Sequence, residues 1–63
     1  MAFKIKEIRT EKGVSQEELA EKSGVSRVII SGLETGERKN TTVKTLSDIA
    51  AALGVNVCDI FSA

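Results

Sequence analysis

Apolar residues recur every three or four positions along most of the chain, and single glycines separate the apolar runs. This spacing is typical of amphipathic α-helices, and a glycine directly after such a run is a common helix end. No segment alternates apolar and polar residues for long enough to predict a strand. The pattern therefore predicts an all-α fold of five short helices, over about residues 2–12, 15–22, 26–35, 42–53 and 56–61.

The second and third predicted helices have clear start signals and a very short connection. Ser15 and Glu18 have the spacing of a capping box, and Ser26 is placed to cap the next helix. Gly24 can adopt the left-handed conformation that ends a helix. The apolar positions of the five helices predict a core, which comprises Phe3, Ile5, Ile8, Leu19, Ala20, Val25, Ile30, Leu33, Val43, Leu46, Ile49, Ala50, Leu53 and Ile60.

Length and composition limit the class of protein. The 63 residues suffice for one domain, expected over 1–63, and the single cysteine, Cys58, excludes an internal disulfide. We interpret Cys58 as a small buried apolar residue. Without histidine or a Cys/His cluster, no metal or other cofactor is expected. A charged N-terminus and the lack of an apolar run of roughly 20 residues predict a cytoplasmic protein.

The sequence offers little that could support catalysis. It has no histidine, and Cys58 has no evident partner to act as a base. Asp48 and Asp59 are separated by the break between two predicted helices, and no glycine-rich loop could hold a phosphate. We therefore expect a protein that is not an enzyme.

Residues 15–36 read "SQEELAEKSGVSRVIISGLETG", and "ALGV" follows at 52–55. Together with Arg9, this ordered pattern resembles the XRE family of helix-turn-helix regulators, which includes phage repressors and Cro-like proteins. The resemblance extends from about Phe3 to Phe61. Its most specific positions are Arg9, Gln16, Leu19, Ala20, Gly24, Val25, Ile30, Leu33, Glu34 and Gly36.

The resemblance implies a compact five-helix, lambda-repressor-like domain with its helix-turn-helix over about 15–35. It also implies a sequence-specific DNA-binding regulator of bacterial, phage or mobile-element origin. We expect a repressor that binds an inverted-repeat operator as a homodimer, with helix 26–35 in the major groove. Because the sequence offers nothing after residue 63 for sensing a ligand or for cleavage, we expect a bare DNA-binding regulator.

With Ile30 and Leu33 inward, several side chains of the third helix face outward. Arg27 can donate two hydrogen bonds to guanine, but a phosphate contact or a free surface arginine are alternatives. Val28 can contact a thymine methyl group or simply be exposed, and Ser31 can bind a base or a phosphate. The resemblance implies that the base-reading positions are Ser26, Arg27, Val28, Ser31 and Gly32.

Two residues of this helix depart from the expected pattern. The family often has a long polar side chain at the position of Gly32, and glycine inside a helix costs about 1 kcal/mol relative to alanine. Either the backbone approaches DNA closely there, or this protein has one base contact fewer. Ile29 makes the helix start unusually apolar. It is either partly buried against the following loop or, together with Val28, part of a contact with a protein partner.

Other polar residues flank the predicted DNA-facing helix. Gln16 begins the second helix, where free backbone N–H groups favour an anion. The loop after Gly36 lacks the proline that is common in the family and has Asn40 instead. The resemblance therefore does not predict how this loop would contact the phosphates. The predicted phosphate contacts, each of which could instead be an ordinary surface residue, are Gln16, Thr35, Arg38, Lys39 and Lys44.

The resemblance also implies two structural features. Arg9 late in the first helix is expected to form a partly buried ion pair with Glu34, although both could be solvated surface charges. The C-terminal residues Val55, Val57, Cys58 and Phe61 form the candidate dimer interface, or are ordinary core residues. We assign Ile60 to the core.

The charge distribution agrees with DNA binding although the chain is formally neutral, with 9 Lys+Arg and 9 Asp+Glu. Residues 25–47 carry four basic and two acidic residues, a net +2, and residues 48–63 carry only two aspartates. Binding depends on the local charge more than on the total. The main alternative is a protein-interaction module, such as an antitoxin, that uses Val28 and Ile29.

Overall fold

The computed structural model of the chain describes residues 3–38 and 40–61. Over these residues it contains no strand, which confirms the all-α prediction. The first helix begins later than predicted, because Phe3 is not helical and Lys4 is the N-cap; Ala2 lies outside the described residues. The five helices are α1 (Ile5–Glu11), α2 (Gln16–Ser23), α3 (Arg27–Thr35), α4 (Val43–Leu53) and α5 (Val57–Ile60).

The caps of α2 and α3 determine how these two helices follow one another. The Ser15 hydroxyl accepts a hydrogen bond from the backbone N–H of Glu18 at 3.1 Å, and the Glu18 carboxylate accepts one from the N–H of Ser15 at 3.3 Å. Gly24 ends α2 at φ 74°, a left-handed conformation that costs glycine little. Ser26 then caps α3 by accepting from the N–H of Ile29 at 3.2 Å. Three residues therefore suffice to turn the chain from α2 into α3.

The core lies where the five helices meet. Each helix contributes buried residues, and Val25 adds one from the turn between α2 and α3. Burial of this apolar surface is the main force that holds so small a fold together. The buried residues are Ile5, Leu19, Val25, Ile30, Leu33, Leu46, Ile49, Ala50, Leu53 and Ile60.

Two burial predictions are wrong. Val43 was expected in the core but is 75% exposed, because the buried stripe of α4 begins one turn later, at Leu46. Cys58 was expected to be buried but is exposed. Its helix, α5, has a single turn, in which Val57 and Ile60 occupy the inward side and leave Cys58 on the outside.

Helix α3 packs against both α2 and α1 and leaves part of its surface exposed. Ile30 and Leu33 have no exposed surface, whereas Arg27, Val28 and Thr35 on the same helix are exposed. Among residues 3–38 and 40–61, no helix is long and apolar enough to cross a membrane.

Candidate nucleic-acid interface

The outward side of α3 is a mixed polar and apolar surface. Val28, near the helix start, is 76% exposed. Ser26 and Arg27 are exposed beside it, and Ser31 and Gly32 are half-buried one turn further along. Arg27, Val28, Ser31 and Gly32 are therefore brought together on one side of α3, and Ser26 precedes them as the N-cap of the helix. Such a surface can present hydrogen-bond donors and a methyl-sized contact to the edges of bases.

Behind this surface, Arg9 and Glu34 form a bidentate ion pair that joins α1 to the end of α3. The Arg9 Nε lies 2.8 Å from Glu34 Oε2, and Nη2 lies 3.2 Å from Oε1. A third donor of Arg9 reaches the carbonyl oxygen of Val14 at 2.8 Å. The side chains are only 14% and 3% exposed, and hydrogen bonding to Glu34 raises the pKa of Arg9 above its ordinary value. The pair holds α3 in position against α1.

Gln16 connects this inner ion pair to the surface. Its amide nitrogen donates to Glu34 Oε1 at 3.0 Å, and its amide oxygen accepts from Arg27 Nε at 3.3 Å. Rotating the amide by half a turn would set oxygen against carboxylate and N–H against guanidinium. The two neighbouring charges therefore fix the orientation of Gln16. The predicted phosphate contact of its side chain would have to compete with these two partners.

Arg27, the predicted base reader, lies against the start of α2. Its Nη1 is 3.0 Å from Glu17 Oε1, and the two side chains are 59% and 75% exposed. Sequence reasoning missed Glu17, because an acidic residue in the first turn of a helix is common and needs no partner. The only available signal was its place directly after Gln16 in α2.

Gly32 has a role that neither interpretation of the sequence included. A Cβ atom at this position would lie 3.1 Å from the Cβ of Arg38, which is closer than most real contacts of this kind. The backbone N–H of Arg38 also donates to the carbonyl oxygen of Gly32 at 3.0 Å. Glycine therefore lets the loop after α3 fold back against the helix. The close approach that requires glycine here is therefore that of the loop residue Arg38, which belongs to the protein itself.

The folded-back loop extends the surface of α3 sideways. Val28, Gly32, Glu37, Arg38 and Asn40 line a shallow open depression between the helix and the loop. The aliphatic side chain of Val28 and the guanidinium of Arg38 in this depression are groups that can contact DNA. The predicted phosphate contact Lys39 lies outside the described residues.

Two of the remaining predicted phosphate contacts, Thr35 and Lys44, have intramolecular partners. The Thr35 hydroxyl donates to the carbonyl oxygen of Gly32 at 3.3 Å, within α3. Lys44 Nζ lies 3.0 Å from Asp48 Oδ2, one turn further along α4. Within the part of the chain that the structure describes, Arg38 makes no salt bridge. The free positive charge on this side is therefore smaller than a count of residues indicates.

The C-terminal residues that form the candidate dimer interface differ in burial. Val55 and Val57 are half-buried and pack on the core, whereas Cys58 is exposed. Phe61 is 49% exposed, and its ring centre lies 5.7 Å from that of Phe3 in a tilted arrangement. Phe61 and Cys58 are thus the members of this set with most surface available to a partner.

Ile29 is half-buried and packs against the core. The apolar pair that could have contacted a protein partner is thereby reduced to Val28, which lies among the polar residues of α3.

Two capped helices joined by a three-residue turn, with one side of the second left open, define a helix-turn-helix protein. The helix-turn-helix family model matches residues 5–60, and the chain belongs to this family, of the XRE type.

Individual relatives are also transcription regulators. The chain is 51% identical over 49 residues to the HTH-type transcriptional regulator y4dJ of Sinorhizobium fredii, which covers 78% of the chain and 62% of that protein. It is 41% identical over 54 residues to the regulator SinR of Bacillus subtilis, covering 86% of the chain and 49% of SinR. The chain thus spans about half to two thirds of the length of these relatives.

Solved structures agree with this assignment. The restriction-modification controller protein C.AhdI from Aeromonas hydrophila superposes with a TM-score of 0.86 at 38% identity, covering 92% of this chain and 86% of that one. SinR in complex with DNA superposes with a TM-score of 0.83 at 40% identity, covering 87% of each chain. These relatives are regulators rather than enzymes, in line with the expectation from the sequence.

Proposed function

We propose that this chain binds double-stranded DNA sequence-specifically and regulates transcription, with α3 in the major groove. The observation that carries the proposal is the open side of α3, where exposed Arg27 and Val28 stand beside the start of α2. The major groove admits an α-helix, and the first residues of such a helix approach the base edges. The likeness to a regulator solved with DNA, at 40% identity, supports DNA binding.

In this proposal the residues of α3 read bases and their neighbours hold the phosphates. Arg27 donates to guanine, Val28 contacts a thymine methyl group, and Ser26 and Ser31 bind adjacent polar edges. Gly32 has no side chain, so Arg38 of the following loop can lie close to α3. The phosphate contacts are Gln16, Thr35, Arg38, Lys39 and Lys44.

We further propose that the protein acts as a homodimer on an inverted repeat and represses by occupying a promoter. A single α3 reaches only a few base pairs, so two copies about one helical turn apart would read a longer site. The exposed Phe61 and Cys58 support a dimer contact at α5, with Val55 and Val57 beneath it.

The test is selection of bound duplexes from a random DNA pool with the purified protein at moderate salt. We expect an inverted repeat to be enriched, with guanine in each half-site. Arg27→Ala should lose this enrichment, while Lys6→Ala, an exposed change on α1 away from α3, should retain it. A folded protein that enriches no sequence would contradict the proposal and redirect the search to protein partners.

A further inference from the structure

We infer that Glu17 is a specificity-determining residue, which holds Arg27 so that its guanidinium reads bases but does not bind phosphates. The inference rests on the proposed DNA-binding function. Gln16 and Glu17, the first two residues of α2, both contact Arg27. The Gln16 amide oxygen lies 3.3 Å from Nε, and Glu17 Oε1 lies 3.0 Å from Nη1.

The held guanidinium keeps enough donors to read a base. Arginine has five N–H donors, and the contacts with Gln16 and Glu17 use two of them. A bidentate contact with guanine O6 and N7 needs two more. Three N–H donors remain on Nη1 and Nη2, so Arg27 can bind guanine without releasing Glu17.

A phosphate meets different conditions at the same guanidinium. Glu17 is 75% exposed and carries a full negative charge directly beside Arg27. A phosphate oxygen would have to displace this carboxylate or accept its repulsion, since both are anions. Guanine is neutral and pays no such electrostatic cost. The carboxylate thus disfavours a phosphate contact, which every DNA sequence offers. It still permits a guanine contact, which only some sequences offer.

The arrangement is anchored in the interior of the protein. Gln16 is oriented by Glu34, which is 3% exposed and paired with Arg9. Its oxygen therefore stays directed at Arg27 in the absence of DNA. The Glu17–Arg27 pair itself is exposed and contributes little to folding stability. Its main consequence lies in how the protein chooses among DNA sequences.

The test uses Glu17→Gln, which keeps an acceptor oxygen and removes the charge. Dissociation constants are measured over a series of salt concentrations for two probes. One is the duplex enriched by the wild-type protein, and the other is a shuffled duplex of the same composition. Glu21→Gln is the matched control, because it removes one exposed charge from the same helix and Glu21 has no side-chain contact with Arg27 among the described residues.

We expect Glu17→Gln to bind the shuffled duplex several-fold more tightly, with a smaller change for the enriched duplex. Because Arg27 gains a phosphate contact, the slope of log affinity against log salt should steepen by about 0.9 for the shuffled duplex. Neither change should occur in Glu21→Gln. In a protein that already carries Arg27→Ala, Glu17→Gln should have no more effect than the control.

Equal gains for both duplexes, in Glu17→Gln and in the control alike, would reduce Glu17 to general repulsion and overturn the inference. No change in either slope would overturn it as well. In both cases the wild-type protein still binds its enriched duplex, so the proposed function stands. A wild-type protein that binds no duplex contradicts the proposed function itself.

Discussion

The two arginine–glutamate pairs of this protein have the same chemistry but opposite surroundings. Arg9 and Glu34 are 14% and 3% exposed, whereas Arg27 and Glu17 are 59% and 75% exposed. Gln16 lies between them and hydrogen-bonds to one member of each pair. The inner pair fixes how α3 sits on α1, and the outer pair directs a side chain that is proposed to contact DNA. Burial makes the inner pair a stabilising contact of the fold, whereas the exposed outer pair is the one that we propose affects DNA binding.

The largest effect is expected from removing the carboxylate of the inner pair, that of Glu34. Glu34→Ala leaves Arg9 partly buried without its partner and also frees Gln16. Breaking a buried pair in this way costs about 3 kcal/mol, a large share of the stability of so small a fold. We expect thermal denaturation, followed by circular dichroism, to show a large drop in melting temperature. Glu17→Ala should change it little, and similar drops in both variants would contradict the difference in burial.

Removing the outer arginine should affect DNA binding and leave the fold intact. Arg27→Ala is expected to lower the affinity for the enriched duplex by about 1–3 kcal/mol, the value of one bidentate base contact. Its unfolding free energy should change by less than about 0.5 kcal/mol, as is usual at the surface. Fluorescence anisotropy and chemical denaturation measure the two quantities. A variant that binds as well as the wild type would exclude Arg27 as the reader.

Gly32→Ala tests the close packing between α3 and the following loop, on the same helix as Arg27 of the outer pair. Helix propensity alone would stabilise the protein by about 1 kcal/mol. The new Cβ would lie 3.1 Å from Arg38, however, so the loop must shift. We expect this gain in unfolding free energy to be absent and DNA affinity to fall several-fold. When Gly32→Ala is combined with Arg38→Gly, the gain in unfolding free energy should appear. A full gain in Gly32→Ala alone would show that the loop shifts at no cost in free energy and would contradict this prediction.

The smallest expected effect concerns pH. Hydrogen bonding to Glu34 raises the pKa of Arg9 in the folded state. A raised pKa means that the stabilisation is fully present below the unfolded-state pKa of arginine and is lost only as pH rises through the folded-state value. Chemical denaturation should therefore show no loss of the inner pair between neutral and mildly alkaline pH. The difference in stability between wild type and Glu34→Ala should stay constant over that range.

The parts of this account that the sequence predicted are local or depend on periodicity. The five helices follow from apolar spacing, and Ser15, Ser26 and Gly24 signal their limits through chemistry within a few residues. The ion pair of Arg9 and Glu34 was expected from the family resemblance alone, because 25 positions separate the two residues.

The parts that the sequence did not predict depend on how separate elements meet in space. Glu17 faces Arg27 only because the first turns of α2 and α3 lie beside each other in the fold, and no periodicity of the sequence indicates this. Gly32 was puzzling because its neighbour, Arg38, belongs to a loop without a regular pattern. Val43 and Cys58 were assigned to the core because apolar character was read without knowing which turns the neighbouring helices cover.

The central claim, that α3 reads the major groove, is tested most directly by methylation interference on the enriched duplex. Guanine N7 is accessible in the major groove, and methylation there blocks a bidentate arginine contact. We predict that wild-type protein fails to bind duplexes methylated at one guanine of each half-site. The weak residual binding of Arg27→Ala should be insensitive to methylation at that guanine. Equal binding of methylated and unmethylated duplexes by the wild type would contradict the account.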